Sequence, residues 1–279
     1  MAFEKSGDIV RDAYKKGYGL AAINAFNYES ISLAIQKADK INKPILIGFY
    51  PGWKTFIELD VVAEITKVCA KKAKVPVGLH LDHCMDFKEI MQAIQVGFTS
   101  VMYDGSSLPF EENIKNTHEV VKVASTLGID VEAELGRVGA ASNAADFEDS
   151  SKFTKPEDAK EFVERTGCSS LAVAVGNAHG DYIREPKLDI PLIKALNEAT
   201  NIPLVLHGGS GIPDDQVQAA VKVGIAKMNV ATEYFNAYYK AIMDYDKLEN
   251  KPKSMYACAC DIRDDISNFL DYKIRLLNP

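Results

Sequence analysis

The sequence lacks the features that would place the chain in a membrane, outside the cell or on nucleic acid. No apolar stretch in its 279 residues approaches the roughly 20 needed to span a bilayer, and the N-terminus has no signal-peptide hydrophobic region. The formal net charge of -7 argues against nucleic acid or an anionic membrane as the main partner, because both favour a basic surface. We therefore expect a cytoplasmic protein that binds neither membrane nor nucleic acid.

Cysteine is also scarce, and its pattern predicts no disulfide framework. The chain has five cysteines, an odd number, which without a secretory signal is typical of reduced thiols. The only close pair, Cys258 and Cys260, has no second pair that could complete a metal site. We interpret both residues as packing residues.

Short apolar runs alternate along the chain with amphipathic segments, and no linker-like stretch interrupts them. Several runs are apolar throughout, which is typical of parallel strands covered on both faces. The pattern predicts one domain over residues 1–279, a (β/α)8 TIM barrel with extra C-terminal helices beyond Thr232. The predicted strands are Leu20–Phe26, Pro44–Phe49, Val77–Leu81, Ser100–Met102, Asp130–Leu135, Ser170–Val175, Pro203–Leu206 and Ala226–Val230. The predicted helices are Thr55–Ala73, Phe87–Val96, Asn113–Leu127, Pro156–Thr166, Ile190–Ala199 and Pro213–Val223.

Histidine is rare, and its placement is the most informative feature of the sequence. Of five histidines, His83, His179 and His207 lie at or just past the ends of three different apolar runs. The carboxyl ends of parallel strands meet on one face, where an α/β barrel builds its active site. A single histidine is more often a buried, hydrogen-bonded residue, but three converging imidazoles suit a divalent metal, with zinc the first choice. Three protein ligands leave open positions, which indicates a catalytic metal.

Acidic and amide side chains follow the same rule. Asn24, Asp104, Glu134 and Asn229 also lie at or just after the ends of apolar runs. Since residues two apart on a strand share a face, either Glu134 or Glu132 can reach the metal while the other supports it. The alternative is a buried carboxylate in an ion-paired network.

Two further residues of the third predicted strand flank the first histidine. Asp82 directly precedes His83, and it can either support a metal ligand or act as a general acid or base. Strand alternation predicts that His80 points away from His83, so we interpret His80 as structural.

Two glycine-rich or polar turns run directly from the last two strands into helices. They comprise Gly208, Gly209 and Ser210 after the seventh strand, and Asn229, Val230, Ala231 and Thr232 after the eighth. Helix N-termini bind anions through unpaired N–H groups, and these two loops form the usual phosphate site of α/β barrels. A metal beside a phosphate site indicates carbon–carbon cleavage in a ketose phosphate. Lys227, within the eighth strand, leaves a Schiff-base route as a minor alternative.

Six motifs in order resemble the class II, metal-dependent ketose-bisphosphate aldolases, a family that includes fructose- and tagatose-bisphosphate aldolases. The resemblance spans most of the chain, from Ala22–Asn27 to the C-terminal helices. The motifs are Leu79–His83, Met102–Ser106, Val131–Gly136, Val173–Gly180, Leu206–Gly211 and Asn229–Thr232.

The resemblance implies a set of roles for these residues. His83, His179 and His207 would bind zinc, with Glu134 as an exchangeable further ligand and Asp104 near a second metal position. Asp82 would handle the proton of the C4 hydroxyl, with Asn24 near the substrate. A monovalent cation, Na+ or K+, would bind near the phosphate, and the chain would form homodimers or homotetramers. The phosphate of a dihydroxyacetone phosphate half would contact Gly180, Gly208, Ser210, Asn229, Ala231 and Thr232.

Three departures from the family pattern concern the rest of the substrate. The long polar loop Gly136–Thr154, expected to act as a lid, has Ser142 where the family carries a proton-transferring Glu. Asp146 or Glu148 would replace that Glu, or the proton step differs. Tyr50 stands where a small hydroxyl residue is common. The Arg that grips a second phosphate has no clear counterpart, although Arg263 and Lys253 are candidates.

These observations favour a zinc-dependent aldolase that cleaves a ketose 1-phosphate or 1,6-bisphosphate to dihydroxyacetone phosphate and an aldehyde. One alternative is a related carbon–carbon lyase or isomerase acting on a non-glycolytic sugar phosphate. The other is a catalytically weakened, sugar-phosphate-binding subunit that supports a partner protein, and the altered loop is its basis.

Overall fold

A computed structural model describes residues 2–279 as a closed barrel of eight parallel strands. Each strand pairs with the next along the chain, and the eighth pairs with the first. The predicted (β/α)8 fold is therefore confirmed. The strands are β1 Leu20–Asn24, β2 Ile45–Phe49, β3 Val77–Cys84, β4 Ser100–Tyr103, β5 Asp130–Leu135, β6 Ser170–Val173, β7 Leu204–Leu206 and β8 Ile225–Val230.

Helices surround the barrel, and the tail predicted to be helical forms the last three of them. They are α1 Ser6–Lys16, α2 Tyr28–Lys40, α3 Leu59–Ala70, α4 Phe87–Val96, α5 Phe110–Thr126, α6 Pro156–Thr166, α7 Ile190–Thr200, α8 Asp214–Lys222, α9 Thr232–Asp246, α10 Met255–Asp261 and α11 Arg263–Leu277. Short 3-10 helices lie at Pro51–Thr55, Ala144–Asp146 and Ser150–Lys152. Among residues 2–279, none of the helices has the length and apolar character required to cross a membrane.

The sequence pattern did not predict helix α2, although it has clear local signals. Asn27 caps it, because the Asn27 side chain accepts from the Ser30 amide while Ser30 Oγ accepts from the Asn27 amide. Ile31, Ala34 and Ala38 are fully buried at helical spacing and pack into the main apolar core. This core fills the space between the barrel and the helices.

Helix α1, also not predicted, covers the amino-terminal end of the barrel. Phe3 pairs with Val77 at the start of β3, and Arg11 forms an ion pair with Asp130 at the start of β5. Gly7 lies so close to Asp130 that a Cβ atom there would be 1.9 Å from the carboxylate Oδ2. Only a glycine therefore allows this helix to sit against the strand ends.

Candidate metal and substrate site

Three imidazole rings meet at the carboxyl end of the barrel. His83 lies near the end of β3, and His179 and His207 follow β6 and β7. The ring centroids of His83 are 4.8 Å from His179 and 4.4 Å from His207, and those of His179 and His207 are 5.9 Å apart. One ring nitrogen from each residue lies within 4.8 Å of the other two. The barrel therefore brings together residues that are up to 124 positions apart in sequence.

An irregular strand end directs His83 into this cluster. The β3–β4 register shifts between Leu81 and Cys84, and His83 has a φ of 51°, a conformation uncommon for residues other than glycine. Its Nδ1 lies 2.8 Å from Oδ2 of Asp104, whose other oxygen accepts from the backbone and hydroxyl of Ser106. Asp104 therefore fixes the ring and leaves Nε2 as the free nitrogen.

The same irregularity explains the position of His80. The prediction that it points away from His83 is wrong, because alternation breaks at the register shift and both side chains reach the barrel interior. His80 is buried below the imidazole cluster, where its Nδ1 lies 2.7 Å from Oγ of Ser100 and its Nε2 lies 3.7 Å from Oε1 of Glu132.

His207 lies between the two carboxylates of β5. Its Nε2 is 3.0 Å from Oε1 of Glu132, and its Nδ1 is 3.1 Å from Oε2 of Glu134 without hydrogen-bond geometry. Lys227 of β8 donates to both oxygens of Glu132 at 2.8 Å. Glu132 thus supports a histidine and neutralises a buried lysine, while Glu134 faces the imidazole cluster.

The surroundings of the site shift the pKa values of two histidines in opposite directions. Burial, together with the neighbouring imidazoles, lowers the pKa of His179 to about 3, so this ring is neutral and can ligate a metal. Burial alone would lower the pKa of His207, but Glu132, Glu134 and Asp82 raise it to about 10. The carboxylates therefore stabilise positive charge at His207, and a metal cation would take the place of that proton.

Three buried atoms of the cluster have no hydrogen-bond partner, and they test whether the residues suit a metal. These atoms are Nε2 of His179, Nδ1 of His207 and Oε2 of Glu134. Buried polar atoms are normally paired, because leaving one unpaired costs free energy. Imidazole nitrogens with a carboxylate oxygen are the donors that zinc and similar divalent ions prefer. The donor set therefore fits a divalent cation.

Asp82 is held beside the imidazoles by two amides. Asn24 donates to its Oδ2 at 2.7 Å and Asn229 donates to its Oδ1 at 2.8 Å. Burial would raise the pKa of Asp82, but positive charge on His83, His207 and Lys227 outweighs it and holds the pKa below its usual range. The Oδ1 atoms of both amides are buried without a partner and can accept hydrogen bonds from a ligand.

A cavity of about 350 Å3 opens at the cluster and contains most of the predicted substrate residues. Tyr50 also lines it, as do Trp53 and Phe235, which the sequence analysis did not single out because neither lies in a motif or at the end of a predicted strand. Gly209 and Val230 are predicted site residues that do not line the cavity. The lining residues are Asn24, Tyr50, Trp53, Asp82, His83, His179, Gly180, Gly208, Ser210, Asn229, Ala231, Thr232 and Phe235.

The loop after β5 is tied to the site, but its acids do not line the cavity. Ala140 pairs with His179 in a parallel bridge. Asp146 accepts from the Ala140 amide at 3.1 Å and pairs with Lys152 at 2.9 Å, and the exposed Glu148 lies 3.7 Å from Arg184. The loop therefore contacts the backbone of a predicted metal ligand, while both acids pair with residues outside the cavity.

A closed parallel barrel with this histidine cluster at its carboxyl end defines a TIM-barrel enzyme with a candidate metal centre. The sequence pattern of the fructose-bisphosphate aldolase class-II family matches residues 4–279. The chain belongs to this family and is a class II aldolase, a carbon–carbon lyase, as its motifs predicted.

Individual relatives support the same assignment. The chain is 39% identical to a sulfofructosephosphate aldolase of Alkalicoccus urumqiensis over 234 residues, which is 84% of this chain and 82% of the relative. It is 38% identical over 247 residues to the D-tagatose-1,6-bisphosphate aldolase subunit GatY of Klebsiella oxytoca, with 88% and 87% coverage. The solved YdjI aldolase of Escherichia coli K12 superposes with a TM-score of 0.88 at 35% identity, covering 99% of this chain and 97% of that one.

Proposed function

We propose that this aldolase catalyses zinc-dependent cleavage, and the reverse condensation, of a ketose 1-phosphate or 1,6-bisphosphate, with dihydroxyacetone phosphate and an aldehyde as products. One observation carries the proposal: three imidazoles meet at a cavity that His83, His179 and the glycine-rich loops line, and buried nitrogens of His179 and His207 have no hydrogen-bond partner. The membership of the family supports the reaction class.

His83, His179 and His207 would hold the zinc ion, with Glu134 as an exchangeable ligand and Asp104 serving a second metal position. When bound, zinc polarises the ketone carbonyl of the substrate and stabilises the negative charge that develops on its oxygen. His179 suits this role because its pKa of about 3 leaves the ring unprotonated.

The loops after β6, β7 and β8 would bind the phosphate of the dihydroxyacetone phosphate half. Gly180 and Gly208 have φ angles of 101° and 59°, so their backbones can turn amides towards a ligand where a side chain would be strained. Helix α9 begins at Thr232 and presents its unpaired N–H groups at the same cavity. The full set is Gly180, Gly208, Gly209, Ser210, Asn229, Val230, Ala231 and Thr232, with Na+ or K+ nearby.

Asp82 would take the proton from the C4 hydroxyl as the C3–C4 bond breaks. The C4 oxygen becomes the carbonyl oxygen of the aldehyde, and the electron pair of the broken bond passes to the C2–C3 unit as an enediolate. The unpaired Oδ1 atoms of Asn24 and Asn229 would accept hydrogen bonds from substrate hydroxyls. Two amide donors orient the Asp82 carboxylate for this transfer, and the positive charge on His83, His207 and Lys227 keeps it ionised.

The proton that C3 then receives would come from Asp146 or Glu148. The parallel bridge between Ala140 and His179 ties their loop to the candidate metal centre, and a movement of the loop would bring an acid to the substrate. Ser142, at the position of the family Glu, is exposed and carries no acid.

We also propose that residues 1–279 act as one domain, in the cytoplasm, within a homodimer or homotetramer. Met255 and Tyr256 at the start of α10 are 90% and 79% exposed, and apolar side chains of this size favour burial against another subunit. Sedimentation equilibrium would measure the state, and a monomer at micromolar concentration would contradict this part of the proposal.

The deciding experiment follows exchange of the C3 proton of dihydroxyacetone phosphate with solvent deuterium by NMR. We expect exchange with the zinc-loaded protein, loss of exchange after chelation, and recovery when zinc returns. Protein that holds zinc and the sugar phosphate but shows no exchange would contradict the aldolase proposal and support a binding subunit. Exchange that is unaffected by complete metal removal would contradict the zinc dependence.

A further inference from the structure

One side of the substrate cavity is a packed aromatic surface, which we name the aromatic wall: Tyr50, Trp53 and Phe235. The Trp53 ring centroid lies 5.7 Å from that of Tyr50 and 5.4 Å from that of Phe235, in edge-to-face arrangements. Phe26 lies behind the wall, 5.6 Å from Trp53 and 5.4 Å from Phe235. The rings support one another, so the wall is a preformed apolar surface.

Tyr50 and Trp53 of the wall lie after β2, away from the loops that would bind the phosphate, while Phe235 lies in the first turn of α9 next to those loops. The dihydroxyacetone phosphate half is fixed at two places in the proposed function, by its phosphate at the loops after β7 and β8 and by its carbonyl at the metal. Tyr50 and Trp53 follow β2, and Asn24 and Asp82 belong to the neighbouring strands β1 and β3. The C4 carbon must lie near Asp82, so the rest of the aldehyde half extends along the wall.

No lysine or arginine is among the described residues that line this cavity. The nearby Lys54 forms an ion pair with Glu89, in which its Nζ lies 2.5 Å from Oε1. The two candidates for gripping a second phosphate are also engaged elsewhere, because Arg263 donates to Gln36 and Lys253 donates to the backbone of Asp246. Within this chain, a second phosphate would therefore meet ring faces and the Asp82 carboxylate without a compensating lysine or arginine, which is unfavourable.

From this wall and this charge distribution, we propose that the aldehyde half of the substrate is uncharged, a short carbon chain whose C–H groups pack on the aromatic wall. The inference rests on the proposed aldolase function and narrows its substrate from a ketose 1-phosphate or 1,6-bisphosphate to a ketose 1-phosphate. In the condensation direction, C3 of dihydroxyacetone phosphate loses a proton to the protein. Its electron pair forms the bond to the aldehyde carbon, and the aldehyde oxygen takes a proton to become the C4 hydroxyl.

The test compares aldehydes in condensation with dihydroxyacetone phosphate, using the zinc-loaded protein. We expect kcat/KM for glyceraldehyde or lactaldehyde to exceed that for glyceraldehyde 3-phosphate by about 10-fold or more, the scale on which one poorly matched group is rejected. An equal or higher kcat/KM for glyceraldehyde 3-phosphate would overturn the inference. C3 proton exchange needs no aldehyde and separates the two proposals. Its absence removes the aldolase function and this inference together, while exchange with a preference for the phosphorylated aldehyde removes the inference alone.

Substitutions in the aromatic wall test whether its residues determine the preference for uncharged aldehydes. Trp53→Ala should lower kcat/KM for the uncharged aldehydes by about 10-fold, a larger effect than on the rate of C3 exchange of dihydroxyacetone phosphate. Phe56→Ala is the control, since Phe56 is 69% exposed and contacts Phe26 without lining the cavity. Tyr50→Lys, at a 43% exposed position, tolerates a charge and should shift the preference towards glyceraldehyde 3-phosphate. An aldehyde preference that is unchanged in both wall variants would contradict the assignment.

Discussion

His207 and Glu132 are joined by a buried hydrogen bond of 3.0 Å between Nε2 and Oε1. Because Lys227 donates to both oxygens of the same carboxylate, Glu132 is fixed and can only accept from the ring. The Nε2–H of His207 therefore points towards Glu132, and the lone pair of Nδ1 is available to bind a metal. Lys227 thus holds Glu132 in position, and its ammonium group is buried in this ion pair.

Glu132→Gln should weaken metal binding by about 10- to 100-fold, the usual effect of removing a carboxylate that orients a ligating histidine. Competition with a chelator of known affinity measures the change. Glu119→Gln is a matched control, because Glu119 is exposed on α5. Unchanged affinity in a folded Glu132 variant would remove Glu132 from the support of the metal site.

His179→Ala should abolish stoichiometric metal binding, because it removes one of three imidazoles and a ring that is neutral at any working pH. Metal content after dialysis is measured by atomic emission. His118→Ala serves as the control, since His118 is exposed on α5. Normal zinc content in a folded His179 variant would contradict the assignment of the ligands.

Asp82→Ala should lower kcat by about 100-fold or more, the range for a general acid or base, with zinc retained. The variant leaves the amides of Asn24 and Asn229 without their acceptor, so KM can change as well. Both kcat and bound zinc are therefore measured, and a loss of kcat in zinc-loaded protein supports the role of Asp82. A kcat within two-fold of the unaltered protein, taken as a rough threshold, would exclude Asp82 from the proton transfer.

Asp146→Asn combined with Glu148→Gln should slow C3 proton exchange of dihydroxyacetone phosphate while its binding persists. The single variants decide which acid acts, because Asp146 is tied to Ala140 and Lys152 whereas Glu148 is exposed. Asp149→Asn, in the same loop and also exposed, is the control. If the double variant exchanges at the original rate, the proton donor lies outside this loop.

Gly7→Ala should reduce the free energy of unfolding by about 1–3 kcal/mol, because the added Cβ would overlap the Asp130 carboxylate. Urea denaturation measures the loss. Combining Gly7→Ala with Asp130→Ala removes the overlap with the carboxylate and leaves only the 2.7 Å approach to the Cβ of residue 130, so the two changes should cost less together than their sum. Additive costs would show that the contact is not tight.

Sequence periodicity was sufficient to predict the barrel, because each of the eight strands and most of the surrounding helices carry a local hydrophobic pattern, although helices α1 and α2 were not predicted. The same pattern predicted that His179 and the loop at Gly208 lie at the carboxyl end of the barrel, because both come just after a predicted strand. The left-handed backbone at His83 escaped prediction, because a register shift depends on the neighbouring strand. Pairing of Glu132 with Lys227 joins residues 95 positions apart, and no local pattern encodes it.

Helix α1 covers the amino-terminal end of the barrel, where Ser6 contacts Thr99 and Arg11 forms an ion pair with Asp130. Chelators, sugar phosphates and aldehydes would reach the imidazole cluster through the cavity that the aromatic wall lines. A sugar phosphate in this cavity would therefore block the release of an ion held by the imidazole cluster. We expect a bound sugar phosphate to slow the release of zinc to a chelator, even where it contributes nothing to the affinity for the ion.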